Sequence, residues 1–455
     1  MATLTSPGTS PQEDSRVLSQ MAVVAVICGV LAGVFGATFR LFLLGAETVR
    51  HALLTWAHQW PLLGWIIPVV VAAGLVTLAA WLVQRFAPAA AGSGVQYVEA
   101  VTRGLADPPP LAVVPVKFVG GVLAIGSGLA LGREGPSVQA GATIGSWIAQ
   151  RLKFSDENVR IMQAAVAGAS LGVAFNTPIG GIAFVFEELA RRFSTKLMVT
   201  TLAAAASSIL VARIISGNAL DYSVTPPPEP VLATVLAGVV LGALLGVLGA
   251  AYNQTLIRFL DVFAAEKRVP LLLKAAFVGG VVGLLAWFEP ALVGGGDPLI
   301  QATLGDPLSI SVLLVVFVTR WLLGPFSYSA QTPGGIFAPL LVVGSVFGAL
   351  FAQVATMLVP GLPFSPTMGA LVGMSAFFTA VVRAPFTGVL LVLGMTGALS
   401  PMLPMLAASV TATIVPFALG NAPIYDTLRE RMPHASAPPD HAAEHRPEST
   451  ANSRA

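Results

Sequence analysis

From Trp321 to Tyr425 the chain carries a single formal charge, Arg383. A stretch of that length cannot be solvated as a soluble domain, whose surface needs polar and charged side chains spread over it. It must lie in lipid or pack against other apolar segments. Val231 to Ala250 is likewise free of charge, and at ~1.5 Å per residue a helix of ~20 residues crosses a ~30 Å hydrocarbon core. Similar windows recur, and charged residues make up only 10% of the chain. The sequence therefore reads as an all-α integral membrane protein that crosses the bilayer many times.

Several classes of function are excluded by the same residues. Basic side chains are scattered or sit in short loops such as Arg151-Leu152-Lys153 and Arg191-Arg192, so no nucleic-acid-binding face exists and these groups read as anchors at the membrane surface. Cys28 is the only cysteine, which rules out an intramolecular disulfide. His51 and His58 share one loop-like stretch and the other histidines fall near the C-terminus, so no metal-ligand spacing is present; neither a metal nor another cofactor is expected, nor is an enzyme. The polar segment 1–18 leads into an apolar run too long for a signal-peptide core, which is expected to be the first membrane helix.

Forty-six glycines and 34 prolines interrupt the spans. In hydrocarbon such breaks survive only where protein or a water-filled cavity satisfies the freed backbone groups, a mark of transporters and channels. The Pro-rich connector 225–230 separates two apolar halves, 19–224 and 231–428, and residues 429–455 are expected to form a disordered tail. The halves repeat each other. Aligning Gly132-Arg-Glu-Gly-Pro136 with Gly335-Ile-Phe-Ala-Pro339 also matches Gly141 with Gly344, Gly145 with Gly348 and Gln150 with Gln353. A second, collinear match pairs Phe175-Asn-Thr-Pro178 with Val382-Arg-Ala-Pro385. An internal duplication is the expected cause, and in many duplicated transporters the halves are inverted and the substrate sits where broken helix ends from both meet.

An anion in a membrane needs electropositive groups without the trapping strength of a bare charge. Helix N-termini supply them through unpaired N–H groups and the macrodipole. Three Gly-rich breaks offer such ends: Gly92-Ser-Gly94, Gly132-Arg-Glu-Gly-Pro136 and Gly334-Gly-Ile-Phe-Ala-Pro339. Glu134, in the second, is an expensive charge, costing at least ~2.5 kcal/mol in a transmembrane segment, and is a functional candidate for that reason. A carboxylate and an incoming anion compete for the same donors, so proton and anion occupancy there are coupled. Glu187 and Glu188 precede Arg191 and Arg192, and pairing at i, i+4 spacing competes with a functional reading of both.

In this order and spacing the motifs resemble those of the chloride channel (CLC) family, in particular its prokaryotic chloride/proton antiporters that lack C-terminal regulatory domains. Gly-Arg-Glu-Gly-Pro and Gly-Gly-Ile-Phe-Ala-Pro match the family's two signatures, Gly-Ser-Gly its first anion-binding loop, Tyr425 its distal tyrosine and Glu188 its inner glutamate. The resemblance implies a fold of two inverted repeats with many tilted and broken helices. It implies a chloride site formed by Ser93, Tyr425, the N–H groups of Ile336 and Phe337, and Gly135. Glu134 would be the gate and a proton carrier, Glu188 the inner proton relay, with Arg133 adding positive potential and Glu187 in support. Chloride/proton exchange is the implied function, a passive voltage-gated type of chloride channel the alternative. Chloride, protons, the lipid bilayer and a second copy, in a homodimer with one pore per subunit, are the implied partners, and a bacterial inner membrane the expected location. Two positions depart from the family: Gln96 stands where Pro is usual, and Gly394 where a glutamate often is.

Overall fold

A computed structural model describes residues 11–432 apart from 61, 226 and 306. Eight helices occur twice in the same order. The first set is α1 (Pro11–Ala57), α2 (Ile66–Phe86), α3 (Val95–Thr102), α4 (Val113–Gly126), α5 (Glu134–Arg151), α6 (Asp156–Ala174), α7 (Pro178–Phe184) and α8 (Thr195–Ser216). The second is α9 (Leu232–Ala265), α10 (Leu271–Phe288), α11 (Asp297–Leu304), α12 (Ile310–Tyr328), α13 (Phe337–Leu358), α14 (Pro366–Val382), α15 (Pro385–Thr396) and α16 (Met402–Ala418), after which α17 (Ile424–Glu430) turns back to the centre. The tail beyond Met432 lies outside the described residues.

Local chemistry sets these boundaries. Ser155, Thr177, Ser194, Ser309 and Ser365 each accept a hydrogen bond from an N–H in the first turn of the helix they precede, satisfying donors that a helix start leaves open. Pro opens α7, α14 and α15, where its missing N–H costs nothing. Seven helices among the described residues, α1, α2, α8, α9, α10, α12 and α13, are long and apolar enough to cross a bilayer, and α4, α14, α15 and α16 are shorter apolar helices. The protein is thus an integral, multi-pass membrane protein.

The repeat is carried into the packing. α5 lies on α6 as α13 lies on α14, α1 on α8 as α9 on α16, and α2 meets α10 across the two halves. The glycines that matched in the sequence serve this packing: a Cβ at Gly344 would meet Gly373 O at 2.4 Å and one at Gly141 would meet Ser170 Oγ at 1.9 Å. Small residues that let helix backbones close up are how membrane helices associate without a hydrophobic drive between them. Most of α13 is buried inside the protein, whereas α2, α8 and α10 turn large faces outward. The starts of α5 and α13, at Glu134 and Phe337, are buried in protein rather than turned to lipid, as their open backbone N–H groups require.

Candidate functional site

Gly132 and Gly335, the residues matched first in the internal alignment, form an antiparallel bridge. It fixes the start of α5 against the start of α13, and equivalent residues bonded reciprocally are what a two-fold axis between inverted halves produces. Glu134 and Phe337 are each the first residue of their helix. Glu134 is 2% exposed, and its carboxylate packs over Gly132 and beside Ala338 in the first turn of α13. Its Oε2 has no hydrogen-bond partner. A cleft of about 50 Å³ reaches it, lined among others by Arg40, Glu47, Arg50, Arg133 and Asp297.

Arg133 does not pair with Glu134 in the ladder of ion pairs. It sits 3.7 Å from Asp221 and 3.5 Å from Asp297, and its Nε donates to Ala174 O at 3.0 Å. Asp221 also pairs with Arg40 at 2.8 Å, and the Tyr222 hydroxyl donates to Asp297 at 2.7 Å. Two carboxylates thus face the positive charge of Arg133, whose contacts join the start of α5 to the end of α6, the start of α11 and the segment carrying Asp221.

Below Glu134 lies Ser93, fully buried, in the loop before α3. Gly94 caps α3 at φ +84°, a left-handed conformation that favours glycine, and a Cβ there would collide with Gln139. Gly135 is in contact as well, since its Cβ would stand 2.5 Å from Ser93 Oγ. Two side chains that sequence reading missed hold this loop. The Lys117 amino group, fully buried on α4, donates to Gly92 O at 2.7 Å and Ser93 O at 3.1 Å. The Tyr328 hydroxyl accepts the Ser93 N–H at 3.2 Å. A lone lysine in the apolar run Val113–Gly126 was a readable signal, by the same cost argument that picked out Glu134; Tyr328 had none.

Tyr425, on α17, is fully buried, and its hydroxyl lies beside that of Ser93. Both hydroxyl oxygens are buried without a hydrogen-bond partner of good geometry, a costly condition that calls for an occupant. Ile336 and Phe337, each 1% exposed, stand at the cap and first position of α13, where N–H groups have no acceptor within the helix. The Phe337 ring packs against Phe175, Phe184, Phe378 and Tyr425 at centroid distances of 6.4, 5.7, 4.9 and 5.6 Å, so α17 is seated on α13 by aromatic contact. Starts of α3, α5, α13 and α17 converge on one enclosed, anion-favouring point.

Glu187 and Glu188 occupy a π-helical turn, Val185–Leu189, and π turns tend to mark functional sites. Glu188 is 1% exposed, and Arg191 Nη2 lies 3.3 Å from its Oε2. Glu187 does not form the expected pair with Arg191. It caps α15 instead, accepting from Phe386 N at 3.0 Å, Thr387 N at 2.7 Å and Thr387 Oγ1 at 2.8 Å. The extra residue of the π turn sends the two neighbouring carboxylates in different directions, and the open N–H groups of α15 outcompete one exposed guanidinium.

Beside Glu188 is a network the sequence did not reveal. Buried Glu99 on α3 pairs with Arg103 and, at 2.7 Å, with Arg429; Asp426 pairs with Arg429 at 2.6 Å, Arg191 at 3.3 Å and Arg103 at 3.5 Å. Partial burial works against the Asp426 charge, yet the hydrogen bond from Arg429 and the guanidiniums of Arg191, Arg429 and Arg103 hold its carboxyl below the usual aspartate range. Of the two departures, Gly394 abuts Thr177, whose Oγ1 would stand 2.1 Å from a Cβ there, so the cap of α7 fills the space a glutamate would need. Gln96 follows Val95 in the first turn of α3, with its Oε1 buried and unpartnered.

Residues 74–416 match the family described as voltage gated chloride channel. The H(+)/Cl(-) exchange transporter ClcA of Vibrio vulnificus is 36% identical over 421 residues, covering 90% of this chain and 89% of that one. That of Vibrio parahaemolyticus is 37% identical over 417 residues, covering 90% and 89%. Among solved structures, a slow cyanobacterial Cl-/H+ antiporter superposes with a TM-score of 0.85 at 34% identity, over 90% of this chain and 97% of that one.

Proposed function

The chain belongs to the voltage gated chloride channel family, and on that premise we propose that it is a secondary active chloride/proton antiporter. One observation carries the reading furthest: Ser93 and Tyr425 present two buried, unpartnered hydroxyls to each other, between a buried Glu134 on one side and a buried Glu188 on the other. A chloride ion satisfies both hydroxyls, with the N–H groups of Ile336 and Phe337 and the close approach permitted by Gly135 completing its shell.

Ionised Glu134 occupies the outer end of this site, at the first turn of α13. Protonated, it loses its hold on the helix dipoles and yields the place to chloride, which makes it gate and proton carrier together. Glu188 passes the proton to and from the inner solution. Glu187 supports that path by fixing α15 rather than by titrating, and Arg133 by anchoring α5. A gating carboxylate such as Glu134 suits a passive channel as well, but the second buried carboxylate, Glu188, matches an inner glutamate that channel members of the family lack, which is why exchange is preferred over a channel. The family resemblance implies a homodimer with one pore per subunit, and the two relatives named above are bacterial, which suits a place in a bacterial inner membrane. Replacing Glu188 by Ala in proteoliposomes tests the reading: proton movement is expected to cease while chloride still flows, and continued proton coupling in that variant contradicts it.

A further inference from the structure

Arg191 stands between the inner carboxylate and the helix that carries Tyr425. Its backbone lies in the left-handed region at φ +47°, uncommon for a residue other than glycine, just after the π turn. One nitrogen, Nη2, is 3.3 Å from Glu188, 3.3 Å from Asp426 and 3.7 Å from Glu99. The charged groups around it are Glu188 on its own segment, Glu99 on α3 and Arg103 just after it, and Asp426 and Arg429 from α17. Three carboxylates and three guanidiniums balance only while every carboxylate is ionised. A proton on Glu188 frees Arg191 from its own segment, and the guanidinium is left to Asp426 and Glu99. Asp426 directly follows Tyr425, so a firmer hold on Asp426 is a firmer hold on the hydroxyl at the chloride site.

We propose that Arg191 is a positioning residue that ties α17, and with it Tyr425, to the first half of the protein whenever Glu188 carries a proton. The inner exit for chloride is then held shut while the proton passes, which limits chloride slip. This deepens the antiport reading and rests on it.

The test measures chloride and proton flux together in proteoliposomes for the unmodified protein, Arg191→Gln, Arg191→Lys and Asp426→Asn. Arg191→Gln and Asp426→Asn are each expected to raise the chloride-to-proton ratio about twofold or more, a modest shift because the ion pairs are partly exposed. Arg191→Lys, which keeps the charge, is expected to restore most of the coupling. A structural role alone lowers both fluxes in proportion and leaves the ratio where it was, and that result overturns the proposal. Should Arg191→Gln fail to fold, Asp426→Asn carries the same expectation and the same refutation. An unmodified protein that moves no protons removes the antiport reading itself, whereas normal coupling there with unchanged ratios in the variants removes only the role of Arg191.

Discussion

Gly132 and Gly335 each donate their backbone N–H to the other's carbonyl, at 2.7 Å in both directions. The bridge joins equivalent points of the two halves and holds Glu134 and Phe337 at the starts of facing helices. The chloride site we propose is therefore a property of the seam, where a carboxylate on one half stands beside a helix start supplied by the other.

Glu134→Gln mimics the protonated gate. Chloride flux is expected to persist, to lose its dependence on pH and to run without proton movement, as read from paired chloride and proton electrodes on proteoliposomes. Normal proton-coupled transport in this variant contradicts the assignment of the gate.

Tyr425→Phe removes one hydroxyl and keeps the ring on Phe337. Because that hydroxyl makes no protein hydrogen bond of good geometry, thermal stability is expected to stay close to that of the unmodified protein. Chloride affinity, measured by calorimetry in detergent, is expected to weaken about three- to tenfold, the range of one net hydrogen bond. Unchanged affinity argues against a chloride ion between Ser93 and Tyr425.

Lys117→Met leaves the carbonyls of Gly92 and Ser93 buried without their donor. A loss of about 2 kcal/mol or more is expected, visible as a lower melting temperature, together with weaker chloride binding as the Ser93 loop loosens. A variant of full stability and affinity shows that the loop does not depend on this lysine.

Glu187→Ala separates the two neighbouring acids. Loss of the α15 cap is expected to cost about 1 kcal/mol while proton coupling survives. If coupling is lost with stability intact, Glu187 belongs to the proton path.

Motifs bounded by Gly and Pro were legible in the sequence because their reason is local: a helix start in a membrane needs those residues. The repeat was legible through the same positions, since Gly141 and Gly344 serve the same close helix contact in each half. Partners distant in the chain were not. Glu187 reaches a helix start 200 residues away, so the nearby Arg191 looked like its natural partner. Lys117 carried a readable signal in its isolation, but the carbonyls it serves lie on another helix start. The Asp426 network was hidden for a related reason, since the charges around Tyr425 resembled the start of a polar tail, while α17 in fact folds back through Arg429 onto Glu99.

The central claim, exchange at a site shared by both halves, is tested most directly on the unmodified protein in sealed proteoliposomes with no proton gradient at the start. An imposed chloride gradient is predicted to drive protons across the membrane in the opposite sense to chloride, creating a pH difference that collapses when the chloride gradient is removed. Chloride that runs down its gradient with no proton movement, with a protonophore showing that the vesicles are tight, would contradict the account.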